Sequence, residues 1–146
     1  MTTTKFTAQN IVLIEDSKSD AELIIQILQL KKIAKNISWI KDGEEALEAL
    51  NDGKLLTLSP QLILLDLKLP KIDGVKVLQT LKAHPKARLI PVVVFSSSDH
   101  DMDKTSSYQS GANSYVVKPV DYESFELAIE EVGLYWLIRN NSLRVS

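Results

Sequence analysis

Leu62-Ile63-Leu64-Leu65-Asp66-Leu67-Lys68-Leu69-Pro70 is the stretch that decides the fold of this chain. Four consecutive apolar residues stop at a carboxylate, and a proline follows soon after. The run is too short for a helix and lacks the polar alternation of a half-exposed strand, so it reads as a strand buried on both faces. Strands of that kind belong to parallel sheets covered by helices on both sides.

The same signal recurs on either side of it. Residues 11–14 are a continuous apolar run, 37–40 a shorter one, and 114–117 another. Pro91 opens a run at 92–95, at the one strand position where proline is easily tolerated. Helical stripes fill the gaps. Residues 20–32 carry Ala21, Ile24, Ile25 and Leu28 on one face. Asp42 is placed to cap a helix over 43–51, with Gly53 after its end, and Asp73 to cap one over 74–83. Residues 99–110 form a weak helix, short of apolar side chains, and 121–139 form the last. Connections are short except 51–60. Five strands alternating with five helices predict repeated βα units and hence a doubly wound parallel sheet.

At 146 residues the chain suits one compact domain, with a core over about 10–139 and loose ends before 10 and after 141. A chain of this size buries about 68% of its unfolded surface, enough for a core without staples. Seventeen basic against nineteen acidic residues give a net charge of −2, no electrostatic footprint for nucleic acid. The absence of cysteine excludes a disulfide scaffold, thiolate zinc sites and a cysteine nucleophile, and fits a reducing compartment. Residues 1–10 contain no signal-peptide run, and no apolar stretch approaches the roughly 20 residues that span a bilayer. A cytoplasmic protein with no membrane partner is expected.

In open α/β sheets ligands bind beyond the carboxyl ends of the strands. Glu15-Asp16 follow the first strand, Asp66 the third, Ser96-Ser97-Ser98 the fourth and Lys118-Pro119 the fifth, whereas Lys41-Asp42 after the second is a plain turn. Each has an ordinary explanation on its own: a helix cap, a loop hydrogen bond, a solvated lysine. Together they direct three carboxylates, a hydroxyl and an ammonium at one edge. Crowded carboxylates repel one another and call for a cation or raised pKa values, and a hard divalent ion with oxygen ligands meets that need. Metal, lysine and hydroxyl around a carboxylate nucleophile make a phosphoryl-transfer site.

Over about residues 10–132 the chain resembles the receiver domain of two-component response regulators. The matching motifs are Ile11-Val12-Leu13-Ile14-Glu15-Asp16, Leu64 to Pro70 with Asp73-Gly74, Pro91 to Ser97, and Tyr115-Val116-Val117-Lys118-Pro119. The resemblance implies a flavodoxin-like fold with strand order 2-1-3-4-5, an order for which a receiver protein is itself among the standard examples. It also implies Asp66 as phosphoacceptor. Glu15, Asp16, Asp66 and the Lys68 backbone carbonyl would hold magnesium or manganese, with Glu15 standing where the family commonly has Asp. Ser96 falls at the switch hydroxyl, more often Thr, Lys118 at the phosphate-pairing lysine, and Tyr115 at the aromatic that reports the state of Ser96. The Lys118–Pro119 bond is usually cis in the family.

A narrower resemblance joins residues 15–20, the 51–60 connection, Ala83-His84-Pro85-Lys86 and Tyr135-Trp136-Leu137 to the stand-alone regulators paired with bacterial and cyanobacterial phytochromes. It implies phosphorylation by a phytochrome-type sensor histidine kinase. His84 reads as a turn residue rather than a phosphodonor.

No effector domain is expected after the receiver, so the output would be a changed surface. On the last helix Phe125, Ala128, Ile129, Val132 and Trp136 form the core stripe, while Leu127, Leu134 and Ile138 fall opposite. With Tyr135 and Leu137 beside them, they point to an interface, most simply that of a symmetric homodimer. The chief alternatives are a phosphate-independent interaction domain and an aspartyl-phosphate phosphatase. Haloacid-dehalogenase-type phosphatases want a second Asp two residues after the nucleophile, where this chain has Lys68. Dinucleotide binding lacks its G-x-G-x-x-G.

Overall fold

The computed structural model describes residues 9–141 and residue 143. Strands β1 (Asn10–Ile14), β2 (Asn36–Ile40), β3 (Leu62–Leu65), β4 (Val92–Ser96) and β5 (Ser114–Val117) form one parallel sheet in the order β2-β1-β3-β4-β5. The strand order reverses between β1 and β3, which lie side by side with Ile14 level with Leu65. Glu15 and Asp66 therefore leave the sheet next to each other, at the crevice where doubly wound sheets bind ligands.

Alternate residues along each strand face opposite layers. Val12, Ile14, Ile63 and Leu65 pack beneath α2 (Gly43–Asn51) and α4 (Gly74–Ala83). Ile11, Leu13, Leu64 and Phe95 pack against α1 (Lys18–Leu30) and α6 (Tyr122–Gly133). Both faces of the central strands β1, β3 and β4 are covered, which is why those strands are apolar runs.

Among the described residues there are six α-helices rather than five. The additional one, α3 (Lys54–Thr57), lies inside the segment read as a connection. Gly53, at φ 83°, turns the chain out of α2, and the single turn that follows buries Leu55 completely. One turn is too short to show periodicity. A 3-10 turn, Ala87–Leu89, likewise precedes β4. The first helix begins at Lys18, capped by Ser17, two residues ahead of the expected start. α5 (Asp101–Gln109) is the expected weak element, burying only Ser107.

The last helix differs in its final turns. After Gly133 the backbone widens into a π-helical segment, Leu134–Arg139, in which the Asn140 amide donates to the Tyr135 carbonyl. The wider turn delays the phase of the side chains. Leu137, read as a neighbour of the exposed stripe, is instead buried at 3%, while Trp136 is half-buried. The Lys118–Pro119 bond is trans, contrary to the family habit; no peptide bond among the described residues is cis. No described helix is long and apolar enough to cross a membrane. Of the expected loose ends, residues 1–8, 142 and 144–146 lie outside the described residues.

Candidate functional site

Three backbone hydrogen bonds extend the sheet one residue past its strands. The Glu15 amide donates to the Ile40 carbonyl at 3.0 Å, the Asp66 amide to Ile14 at 2.9 Å and the Lys118 amide to Ser96 at 2.7 Å. The residues that carry the chemistry are thus held by the sheet itself, not by loops. Gly74 opens α4 directly against this edge: a Cβ there would lie 2.5 Å from Leu67 Cα and 2.6 Å from the Asp66 carbonyl oxygen. Only glycine lets the helix approach so closely.

Lys118 Nζ donates to Glu15 Oε1 at 2.7 Å, Asp20 Oδ2 at 2.8 Å and Asp66 Oδ2 at 3.1 Å. These bonds use all three N–H groups of the ammonium. The side chains of Glu15, Asp66 and Lys118 are 1%, 8% and 9% exposed, and that of Asp20 33%. Burial works to lower the Lys118 pKa, yet its bonds to Asp20 and Glu15 and the Asp66 charge hold it above the ordinary lysine range. Burial pushes the Glu15 carboxyl up to about 7, against the pull of Lys118 and with the Asp66 charge adding to the rise. One lysine therefore does not balance the acidic charge gathered here.

Carboxylate oxygens of Glu15, Asp16 and Asp66 lie within 4.8 Å of one another, with Asp16 exposed. Oxygen donors at this spacing, in a site short of positive charge, fit a hard divalent cation. The remaining Asp66 oxygen, Oδ1, accepts from the Lys68 amide at 3.3 Å, which places the Lys68 backbone beside the carboxylate.

Ser96 ends β4 and is completely buried, its Oγ accepting from the Ser98 amide at 3.2 Å. Tyr115, on β5, donates its hydroxyl to the Ser98 carbonyl at 2.8 Å. Ser98 Oγ in turn donates to Asp103 on α5. Ser98 thus joins the candidate switch pair, Ser96 and Tyr115, to α5. The stripe residues Leu127, Leu134, Tyr135 and Ile138 are all exposed, between 40% and 53%.

Three side chains, those of Asp20, Trp39 and Asp103, take part here without a functional signal in the sequence. Asp20 reads as the opening of a helix and as part of the 15–20 stretch of the narrower resemblance, with no role at the site, although its position four residues after Asp16 puts it within reach of the same edge. Trp39, whose Nε1 donates to the Glu15 carbonyl at 2.7 Å, was read only as part of a strand. Asp103 carries no local signal that would link it to Ser98, which the sequence places at the sheet edge beside Ser96 and Ser97.

A sheet of this order with this acidic edge has the architecture of a regulatory receiver, and the chain belongs to the response regulator receiver domain family, whose sequence profile matches residues 11–130. Among its relatives, "Probable methanogenesis regulatory protein FilR2" of Methanothrix harundinacea is 39% identical over 134 residues, 90% of this chain and 86% of that one. Response regulator Rcp1 of Synechocystis is 35% identical over 129 residues, 87% of this chain and 88% of Rcp1. The Mn2+-bound structure of Rcp1 superposes with a TM-score of 0.84, covering 92% of this chain and 99% of that one at 33% identity. The phosphorylated cyanobacterial phytochrome response regulator RcpA superposes at 0.85, covering 92% and 97% at 34% identity.

Proposed function

We propose that the chain is a signalling regulator in which Asp66 accepts a phosphoryl group from a phytochrome-type sensor histidine kinase. The observation that carries this reading is the Lys118 ammonium shared between Asp66 and Glu15 at adjoining strand ends. Similarity to RcpA and Rcp1 supports the phytochrome assignment.

An Asp66 carboxylate oxygen bonds to phosphorus as the P–N bond of the donor phosphohistidine breaks. The electron pair of that bond stays with the leaving imidazole, which takes a proton from solvent. Magnesium or manganese held by Glu15, Asp16, Asp66 and the Lys68 backbone carbonyl would neutralise charge on the phosphoryl oxygens. Lys118 turns from Asp66 to a phosphoryl oxygen, and the Ser96 hydroxyl moves inward to donate to another. That movement breaks the Ser96–Ser98 bond and shifts the carbonyl that holds Tyr115. The phosphoryl group, carrying about −1.5 to −2, replaces the single charge of the Asp66 carboxylate, and that change is carried to β5 and α5. The apolar stripe on the last helix is the output surface, joining two copies of the chain.

The test is phosphotransfer from a panel of purified histidine kinases, phytochrome-linked ones included. Preferential labelling by the phytochrome-linked kinases is expected. Labelling by none of them, together with none by acetyl phosphate, would overturn the reading.

A further inference from the structure

We infer that Asp20 is a positioning residue for phosphoryl capture, holding the Lys118 ammonium while its partner Asp66 is being modified. The inference rests on Asp66 being the phosphoacceptor and deepens that reading.

An acidic residue in the first turn of a helix already has a local reason to exist, since it complements the helix dipole. Asp20 does more than that. Ser17 caps α1, and its Oγ accepts from the Asp20 amide at 3.3 Å, so the Asp20 carboxylate is free of capping duty. It reaches across to the end of β5 instead and accepts from Lys118 Nζ at 2.8 Å. Glu15 anchors the ammonium from the buried side, and Asp20, one-third exposed, anchors it from the solvent side.

Formation of the acyl phosphate removes the negative charge of the Asp66 carboxylate. One of the three partners of Lys118 then changes, while Glu15 and Asp20 stay. These two are the fixed points about which the ammonium turns to meet a phosphoryl oxygen. Without Asp20 one N–H faces water, and the flexible lysine stem is oriented by Glu15 alone. A second effect opposes the first: the Asp20 charge repels a dianionic phosphodonor. Positioning and repulsion predict opposite signs, so the rates of variants separate them.

The experiment uses the full chain with magnesium and acetyl phosphate, reading initial phosphorylation rates by intact mass over a range of donor concentrations. Asp20→Ala lowers the maximal rate about tenfold, the scale of one charge-assisted hydrogen bond, with little change in the half-saturating donor concentration. Asp20→Asn, which keeps an acceptor at the same reach, retains most of the rate. Asp20→Ser is too short to reach Lys118 and matches Asp20→Ala; it serves if the alanine variant folds poorly. Circular dichroism melts establish that the variants compared are folded at the assay temperature. A folded Asp20→Ala or Asp20→Ser as fast as the native chain or faster, or Asp20→Asn as slow as they are, would overturn the inference alone. A native chain that takes up no phosphate would overturn the phosphoacceptor reading, and the inference with it.

Discussion

Lys118 Nζ, at the end of β5, lies 3.1 Å from Asp66 Oδ2, at the end of β3, although β4 runs between the two strands. The long lysine stem passes the end of β4 at the level of Phe95, whose ring centroid is 5.9 Å from the ammonium. One cation from the fifth strand thereby serves carboxylates from the first and third strands and from α1.

Removing that cation exposes the electrostatic strain of the site. In Lys118→Ala, Glu15 and Asp66 remain buried with no ammonium between them, and the metal-free fold loses about 3 kcal/mol. Urea unfolding in chelator checks this, and added magnesium is expected to recover part of the loss. Asp16→Ala behaves differently: removing one crowded carboxylate leaves the metal-free fold as stable or more so, while magnesium affinity falls. A native unfolding midpoint for Lys118→Ala, or native magnesium affinity for Asp16→Ala, would contradict the arrangement.

Trp39 is a built-in reporter of the site. Its indole N–H donates to the backbone carbonyl of Glu15, directly behind a candidate metal ligand. Magnesium binding and phosphorylation are each expected to change the intrinsic fluorescence, and Trp39→Phe to remove most of that change. A full response persisting in Trp39→Phe would assign it to Trp136, the second tryptophan of the chain.

The helix next to the candidate switch is weakly held. α5 buries Ser107 alone and is fastened by polar contacts, with the Ser98 hydroxyl donating to the Asp103 carboxylate and the Tyr108 hydroxyl accepting from the Tyr115 amide. Its amides should exchange with deuterium faster than those of α1 and α4, and Ser98→Ala should speed them further. Phosphorylation is then expected to shift an existing equilibrium of this helix rather than to build a new one. Protection of α5 equal to that of α1 would argue against this.

The exposed stripe on the last helix carries the proposed self-association. Leu134→Glu places a charge beside Leu127 and Ile138 and should weaken dimerisation by about tenfold or more, measured by sedimentation. Phosphorylation by acetyl phosphate should continue at the native rate. Unchanged self-association and unchanged kinase binding, in both phosphorylation states, would remove the stripe from the output surface.

Most of the fold was legible because its three central strands, β1, β3 and β4, are buried on both faces. Runs such as 62–65 and 92–95 have one physical explanation, and their order with the intervening helices leaves few topologies. The site was legible to the extent that its residues directly follow those strands, as Glu15, Asp66 and Lys118 do. Asp20 was not, because a carboxylate in a first helical turn is ordinary and only the folded chain brings it to Lys118. The short helix containing Leu55 was hidden by its length. The burial of Leu137 was hidden because a π-helical turn breaks the regular period on which stripe arguments rest.

Uptake of phosphate by Asp66 tests the central claim most directly. The native chain and Asp66→Asn are incubated with acetyl phosphate and magnesium, and phosphorylation is read by intact mass before and after acid or hydroxylamine treatment. The native chain is expected to gain one phosphoryl group that is lost on treatment, as an acyl phosphate is, and Asp66→Asn to gain none. Equal labelling of a folded Asp66→Asn variant, or a native label that survives hydroxylamine, would contradict the account.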